Sequence, residues 1–467
     1  MERPAVRREL PLLLELSGLC GLAVALPVLD VLGRSPDFLV LERLGARDLV
    51  FLAAVVALVP PLVLAAAGAL AGLAGPRARR AAHLATVAGL LAALSVQIGK
   101  HLTPLRGLPL AAAAALAGAA GTGLYGRLPA LARVLRVAAP APLLAAGIFL
   151  LASPASALVL PGGDGPAARP TPAGEPAADR PPIVVVAFDE LPLTSLLDTG
   201  GRVDPATYPS FAWLAGRSTW YRNATAVTQW TRDAFPAMLT GRYPSRALPP
   251  HHRSYPDNLF TLLDGAYRLD VHETSTMLCP GRRCSAGAAP AAGRPAEAGP
   301  WRALRRSGAL VAELVSPWER EQQVTAQFEQ PVVPTTAPPG HPGTAATRPA
   351  GFAEFREGLT PDPPAATPRL HYLHLLLPHR PWRSLPSGLR YPEPARTFGL
   401  AARGASWGAE PAWTRLALER HRLQLAWADR LLGEVLTTLR PAACTTGPWW
   451  WSPPTTASAS SRAPTRG

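Results

Sequence analysis

The residues with the clearest capacity for chemistry are Asp189 and Glu190, which directly follow the short, uncharged and largely β-branched run Ile183 to Phe188. Such a run is the pattern of a parallel strand covered on both faces. Ligands of open α/β sheets gather at the carboxyl ends of strands, so carboxylates there are well placed to hold a metal ion; Asp189 would serve equally as a cap for the turn that follows. Further along, Thr231 opens a segment of helical spacing, Phe235, Met238 and Leu239, that Gly241 stops. This puts Thr231 at a helix N-cap, where a hydroxyl ordinarily accepts an amide of the first turn. A second apolar run, Leu370 to Trp382, reads as another buried strand that delivers His379 at its end, where an imidazole can hold or release a proton, and carries His374 half-buried in its middle. Cys20 lies in an apolar run and Cys444 in an atypical tail, which leaves Cys279 and Cys284 as the pair able to form a disulfide and excludes a zinc finger or disulfide scaffold.

The elements that must position these groups differ along the chain. Its 467 residues suggest about three structural units. Gly 40 and Pro 54 together with 48% hydrophobic residues exclude both wholesale disorder and one ordinary domain, so apolar and loop-forming segments must be segregated. Uncharged apolar runs recur at Leu16 to Leu29, Leu49 to Gly75, Leu84 to Gly99, Leu108 to Tyr125 and Val137 to Leu160, which reads as a membrane domain of five transmembrane helices over residues 1–160. Pro60 and Pro61 imply a kink in the second and not a further hairpin. Glu15 and Asp30 lie near opposite ends of the first run, so no mid-membrane ionisable site stands out.

With the N-terminus inside, Arg3, Arg7, Arg8, Arg77, Arg79, Arg80, Arg127, Arg133 and Arg136 fall on the cytoplasmic side and Arg34, Arg43, Arg47, Lys100 and Arg106 outside. Everything after Leu160 is then extracytoplasmic, where a disulfide persists. The formal charge of +14 comes almost wholly from arginine, Lys100 being the only lysine; we read this as high-GC codon usage, not as a nucleic-acid footprint. Residues 161–181 form a Pro/Gly/Ala-rich linker, and 182–440 a soluble domain interrupted by low-complexity surface loops at Ser285 to Pro300 and Pro331 to Pro349. A long amphipathic helix, Pro411 to Arg440, presents Leu416, Ala417, Leu423, Trp427, Leu431, Val435 and Leu439 on one broad face.

The strand VVVAFDE, the segment YPSFAWLAGRSTWYRNATAV and the run TRDAFPAMLTGRYP together resemble the sulfatase-like branch of the alkaline phosphatase superfamily over roughly residues 181–440. In that family a short helix ending L-T-G-R-Y-P follows the nucleophile, and counting back from Leu239, Thr240 and Gly241 puts Thr231 on the nucleophile position without a gap. Thr stands where formylglycine sulfatases have Cys or Ser, and Phe235 where they have an arginine, which disfavours that chemistry. Lipoteichoic acid synthase-like phosphoglycerol transferases, with five spans before an extracellular catalytic domain, use threonine. The resemblance implies an α/β domain, an αβα sandwich with a mostly parallel sheet. It further implies a divalent cation (Mn, Mg, Ca or Zn) held by Asp189, Thr231 and a later Asp-His pair, with Glu190 an acid supporting those ligands from behind or a ligand of a second metal. His379 corresponds to the family's L-P-H-x-P histidine near the scissile ester. The implied substrate is a phosphate or sulfate ester, in a lipid or cell-envelope polymer, handled at the bilayer by a multi-pass membrane protein.

The tail 441–467 departs from this pattern. It carries three consecutive tryptophans and much Pro and Ser, and it shows no strand pattern where the family has a core strand ending in Asp-His; without that strand the neighbouring backbone would be left unpaired. Written in GC-rich codons, the reading frame beginning at the third base of the Ala443 codon encodes Leu-Tyr-Asp-Arg-Ala-Leu-Val-Val-Val-Thr-Ala-Asp-His-Gly-Val-Ser. The TGG codons of the triplet are forced, and the Asp-His pair falls over Pro454 to Thr456. The sequence therefore implies a frameshift near residue 441 and a chain inactive as written; a non-catalytic membrane protein is the competing reading.

Overall fold

A computed structural model describes residues 3–160, 180–244, 248–281, 284, 299–318, 335–336, 348–349, 351–359, 367–380, 382–390, 411–439 and 449–451. The chain divides into two compact units, one of Met1–Pro161 with Glu297–Glu329, the other of Gly162–Ala296 with Gln330–Gly467. The linker at 161–179 and Pro454 to Thr456 lie outside the described residues.

The first unit is helical. It contains α1 (Arg3–Cys20), a π-helical turn at Gly21–Ala25, α2 (Leu26–Arg34), α3 (Pro36–Leu41), α4 (Ala46–Ala71), α5 (Pro76–Leu102), α6 (Leu108–Arg127), α7 (Pro129–Val137), α8 (Ala141–Leu151) and α9 (Ser156–Val159). Five stretches are long and apolar enough to cross a membrane, Leu10–Arg34, Ala46–Ala74, Pro76–Leu102, Leu108–Arg127 and Pro129–Leu151. On them Leu62, Val63, Leu116, Leu143 and Leu144 are more than half exposed, which suits hydrocarbon and not water. The expected fifth run is corrected: it begins at Pro129, a residue suited to a first helical turn, and stops before Pro154, whose ring disfavours helix in the preceding residue. α4 continues through Pro60 and Pro61 without a hairpin.

Small residues let α1 approach α7 and α8. A Cβ on Gly18 would stand 2.4 Å from the Leu135 carbonyl oxygen, and one on Gly21 would stand 2.7 Å from Ala141 and Pro142. The same end of the bundle holds a polar network. Glu15 is buried, its carboxylate accepts the Tyr125 hydroxyl and lies 3.1 Å from Arg136 Nε, and His83 Nε2 is 2.9 Å from the Tyr125 oxygen. Glu15 is thus a junction of α1, α5, α6 and α7, which its place near the end of an apolar run did not disclose.

The second unit is built on β1 (Ile183–Asp189), followed by α10 (Leu193–Leu196), α11 (Pro209–Ala215), α12 (Thr231–Thr240), α13 (Leu259–Leu263) and β2 (Arg268–His272). Between β2 and the rest, α14 (Pro300–Val315) belongs to the first unit. Next come a two-residue pairing of β3 (Thr335–Thr336) with β4 (Arg348–Pro349), α15 (Phe352–Gly358), β5 (Arg369–Pro378), α16 (Pro411–Leu439) and β6 (Trp449–Trp451). The main sheet runs β2-β5-β1-β6, and each adjacent pair is parallel.

Strand alternation sends successive side chains to two cores. Val184, Val186 and Phe188 pack with Phe352, Phe355, Trp427 and Leu431 on one face, whereas Val185, Ala187 and Tyr372 pack with Phe235, Leu239 and Phe260 on the other. The sheet therefore has helices on both faces. On α16 the buried stripe is Ala417, Leu425, Trp427, Ala428, Leu431, Leu432, Val435, Leu436 and Leu439, while Leu416 and Leu423, expected inside, are exposed. The tail is also corrected. Trp449–Trp451 forms a short strand paired with Ile183, Val184 and Val185, so this edge of β1 has partners where none were expected.

Candidate functional site

Asp189 and Glu190 close β1, and because adjacent residues diverge at a strand end, they serve two separate clusters. Asp189 is fully buried and turns toward α12. Thr231 is the first residue of that helix, with Trp230 at the N-cap in extended conformation, so the expected cap position moves by one residue. The Thr231 hydroxyl does not cap its own helix: it donates to Asp189, 3.2 Å from each carboxylate oxygen. The positive end of the α12 macrodipole faces the same spot, an arrangement that favours an anion.

Beneath them lies His374, expected half-buried in mid-strand and instead fully enclosed. The register pairs His374 with Ala187, two residues before Asp189 and on the same face. Its side chain is fully buried, with Nε2 3.7 Å from Asp189 Oδ2 and no hydrogen-bond partner, while Nδ1 lies 3.4 Å from Ser275 Oγ. The Phe235 ring, 4.0 Å away between centroids, holds the imidazole in place. Phe235, at the position of the resembled pattern's arginine, is thus a wall of this pocket. A histidine within an apolar strand gives no signal of its own; only the pairing of the two strands reveals its neighbour.

Glu190 adopts φ +53, a left-handed conformation uncommon for a residue with a Cβ and most often found at functional sites and turns. Its carboxylate lies 3.4 Å from His379 Nε2, accepts the Arg380 amide at 3.2 Å and lies 3.7 Å from Arg380 Nε. His379 Nδ1 bonds the Arg380 carbonyl, and the His379 carbonyl accepts Gln424 Nε2 at 2.7 Å. Gln424 Oε1 in turn accepts the amides of Arg383 and Ser384 at 3.0 and 3.3 Å. One buried amide on α16 therefore splints the loop that carries His379. The same helix carries His421, bonded to Ser195 at 3.0 Å; burial, with Arg422 adding to it, pushes its pKa down to about 4.

Cys279 and Cys284 are disulfide-bonded. Glu273, just past β2, receives the amides of Leu278 and Cys279 at 2.8 and 2.9 Å and so fixes the segment leading to the bond. On the opposite face, Asp270 bridges His272 at 3.1 Å and His371 at 2.8 Å. Burial acts to raise its pKa, but the two histidine bonds outweigh it and hold the carboxyl well below its usual range.

A cation at Asp189 would find two oxygen donors, the carboxylate and Thr231. Among the described residues no three His, Cys, Asp or Glu side chains converge as a metal group. A scan against protein-family models finds no match to this chain, and searches of curated proteins and of solved structures also return none.

Proposed function

We propose that the chain is a membrane-anchored member of the sulfatase-like branch of the alkaline phosphatase superfamily, a hydrolase or phosphoglycerol-type transferase of phosphate or sulfate esters, written here without its last metal ligands. The observation that carries this reading is the Thr231 hydroxyl held against Asp189 at the carboxyl end of a parallel strand and the start of a helix. A threonine satisfied by its own helix would have spoken against a nucleophile; this one is drawn to a buried carboxylate.

The register of β6 adds independent support. Ile183 pairs with Trp449, and counting six positions on along each chain brings Asp189 against position 455, which lies outside the described residues. The adjacent frame encodes its Asp across Pro454 and Thr455. A restored strand continuing in this register would therefore set that Asp beside Asp189.

In the restored protein the Thr231 oxygen would attack the phosphorus or sulfur of the ester and form a new ester bond as the bond to the leaving oxygen breaks. Asp189, which accepts the hydrogen bond of the hydroxyl, would orient the nucleophile and take its proton as the new bond forms; the N-terminus of α12 would stabilise the anionic group; His379, beside Glu190, would supply a proton to the leaving oxygen. Water or a second alcohol then takes the group from Thr231. Asp189, Thr231 and the restored Asp-His pair would hold a divalent cation, Mn, Mg, Ca or Zn, which would supply Lewis-acid polarisation of the hydroxyl and of the ester. The loop arginine bias and the disulfide support an extracytoplasmic domain.

Resequencing the genomic DNA across residues 436–460 tests the frame, and an early stop or absent Asp-His in the neighbouring frame sinks that part. The frame-restored protein is then assayed against aryl sulfate, aryl phosphodiester and glycerophospholipid. Thr231→Ala should abolish turnover while Thr225→Ala and Thr228→Ala stay mild. Full activity of the Thr231 variant refutes the assignment.

A further inference from the structure

Helix α14 reaches the first unit from a segment of the chain that begins and ends in the second. Its spacing is amphipathic: Ala303, Ser307 and Leu310 are buried, whereas Trp301, Arg305, Gly308, Ala309 and Ala312 are exposed. Its contacts fall at span ends on one side of the bundle. Arg306 pairs with buried Glu42 at 2.9 Å, next to α3, and lies 5.7 Å from the Phe38 ring. Lys100, near the end of α5, donates to the Glu313 and Leu314 carbonyls at 2.8 and 3.3 Å, a cation on the negative end of the helix. The Pro317 carbonyl accepts the Gly107 amide at 2.9 Å, just before α6. A helix of 16 residues, about 24 Å long, so crosses the bundle end from α4 to α6 and lies across the spans.

Depth identifies what meets its outer face. Trp301 stacks edge-on against Phe51, with ring centroids 5.4 Å apart, and Phe51 stands five residues past the first residue of α4. At 1.5 Å per residue this is about 8 Å below the start of the span, within the ~5–10 Å at which interfacial helices bury their apolar side. Trp301 and Trp318, at the two ends, are 63% and 52% exposed, the placement of tryptophans at headgroup level.

We propose that α14 is an interfacial helix of the membrane domain, its Ala309–Ala312 face set among phospholipid headgroups and its two tryptophans anchoring its ends. The chain then engages the bilayer surface through a segment remote in sequence from the five spans. The test uses the full chain in phosphatidylcholine/phosphatidylglycerol nanodiscs, with Cys444→Ser as background, Cys20 being buried and Cys279 and Cys284 bonded. Ala309→Cys and Ala312→Cys are labelled separately with an environment-sensitive fluorophore and quenched by shallow spin-labelled lipid, deep spin-labelled lipid and aqueous iodide. Both substitutions are at exposed positions, and unchanged elution on size exclusion confirms the fold. The expected result is that emission lost to the shallow lipid exceeds that lost to the deep lipid and to iodide at both positions. Quenching by iodide alone places the face in water, and resistance to all three places it under protein; either overturns the proposal.

Discussion

Replacing Gln424 by Leu would test whether the His379 loop is held by one side chain. The substitution keeps approximate volume, and the position is nearly inaccessible, 1% exposed. It removes three hydrogen bonds at once: the donation to the His379 carbonyl and the acceptances from the Arg383 and Ser384 amides. At about 1 kcal/mol for each buried backbone group left without its partner, the loop should lose about 3 kcal/mol of local stability, which is about a hundredfold in its opening equilibrium. Hydrogen exchange by mass spectrometry on the full chain in nanodiscs reads this directly. Peptides covering Arg383 and Ser384 should lose about two decades of protection, while peptides covering β1 keep theirs because the sheet is untouched. Wild-type protection at those two amides would refute the splint, and an equal loss in β1 would show that Gln424 contributes to global stability instead of loop order.

Three further outcomes follow from buried groups. Because the folded-state pKa of His421 is lowered from 6.5 to about 4, the unfolded chain binds a proton that the folded one refuses: its contribution is complete above pH 6.5 and is lost as pH falls toward 4. His421→Gln should therefore flatten the fall of Tm across that window in thermal melts, leaving a residual slope from His251, which burial lowers to about 3; an unchanged slope contradicts the assignment. Cys279→Ser with Cys284→Ser should cost about 2 kcal/mol, the loop-closure value for so short a ring, and native protein purified without reductant should resist alkylation at both positions; two reactive thiols would remove the bond and its support for topology. Glu15→Leu removes the acceptor of the Tyr125 hydroxyl and the counter-charge of Arg136 and should cost the bundle about 3 kcal/mol, seen as a lower melting temperature in detergent, whereas no change would make the network incidental.

Much of the scaffold was legible because its signals are continuous. Ile183 to Phe188 is an unbroken apolar run and Leu370 to Pro378 one broken only by His371 and His374, and both are central parallel strands. Thr231 and Gly241 bracket α12 because a left-handed glycine ends it, at φ +69. The hidden parts are polar residues whose meaning depends on a partner far away in sequence. His374 meets Asp189 only through strand pairing, and Glu15 meets Arg136 only through helix packing. Gln424 and His421 did carry a signal: they lie seven and four residues after buried Ala417, polar side chains on the apolar stripe of α16, where an amide or imidazole must find a partner. α14 has helical spacing as well, but it sits between low-complexity segments, and its docking needs Glu42 and Lys100 from the distant N-terminal region.

The tail shows how backbone and side-chain information separate. A parallel edge needs only a few extended residues with free amides and carbonyls, so a tryptophan triplet can pair with Ile183 to Val185 as readily as valines can. Metal ligation needs particular side chains at one strand end, and a shift of frame replaces those outright. A lesion at residue 441 would therefore leave an edge of β1 paired while removing the Asp-His pair proposed to complete the site beside Asp189. If the frame is shifted there, the failure would be chemical before it is architectural: Thr231 and Asp189 would still face each other, and the Asp-His pair proposed to complete their site would be absent.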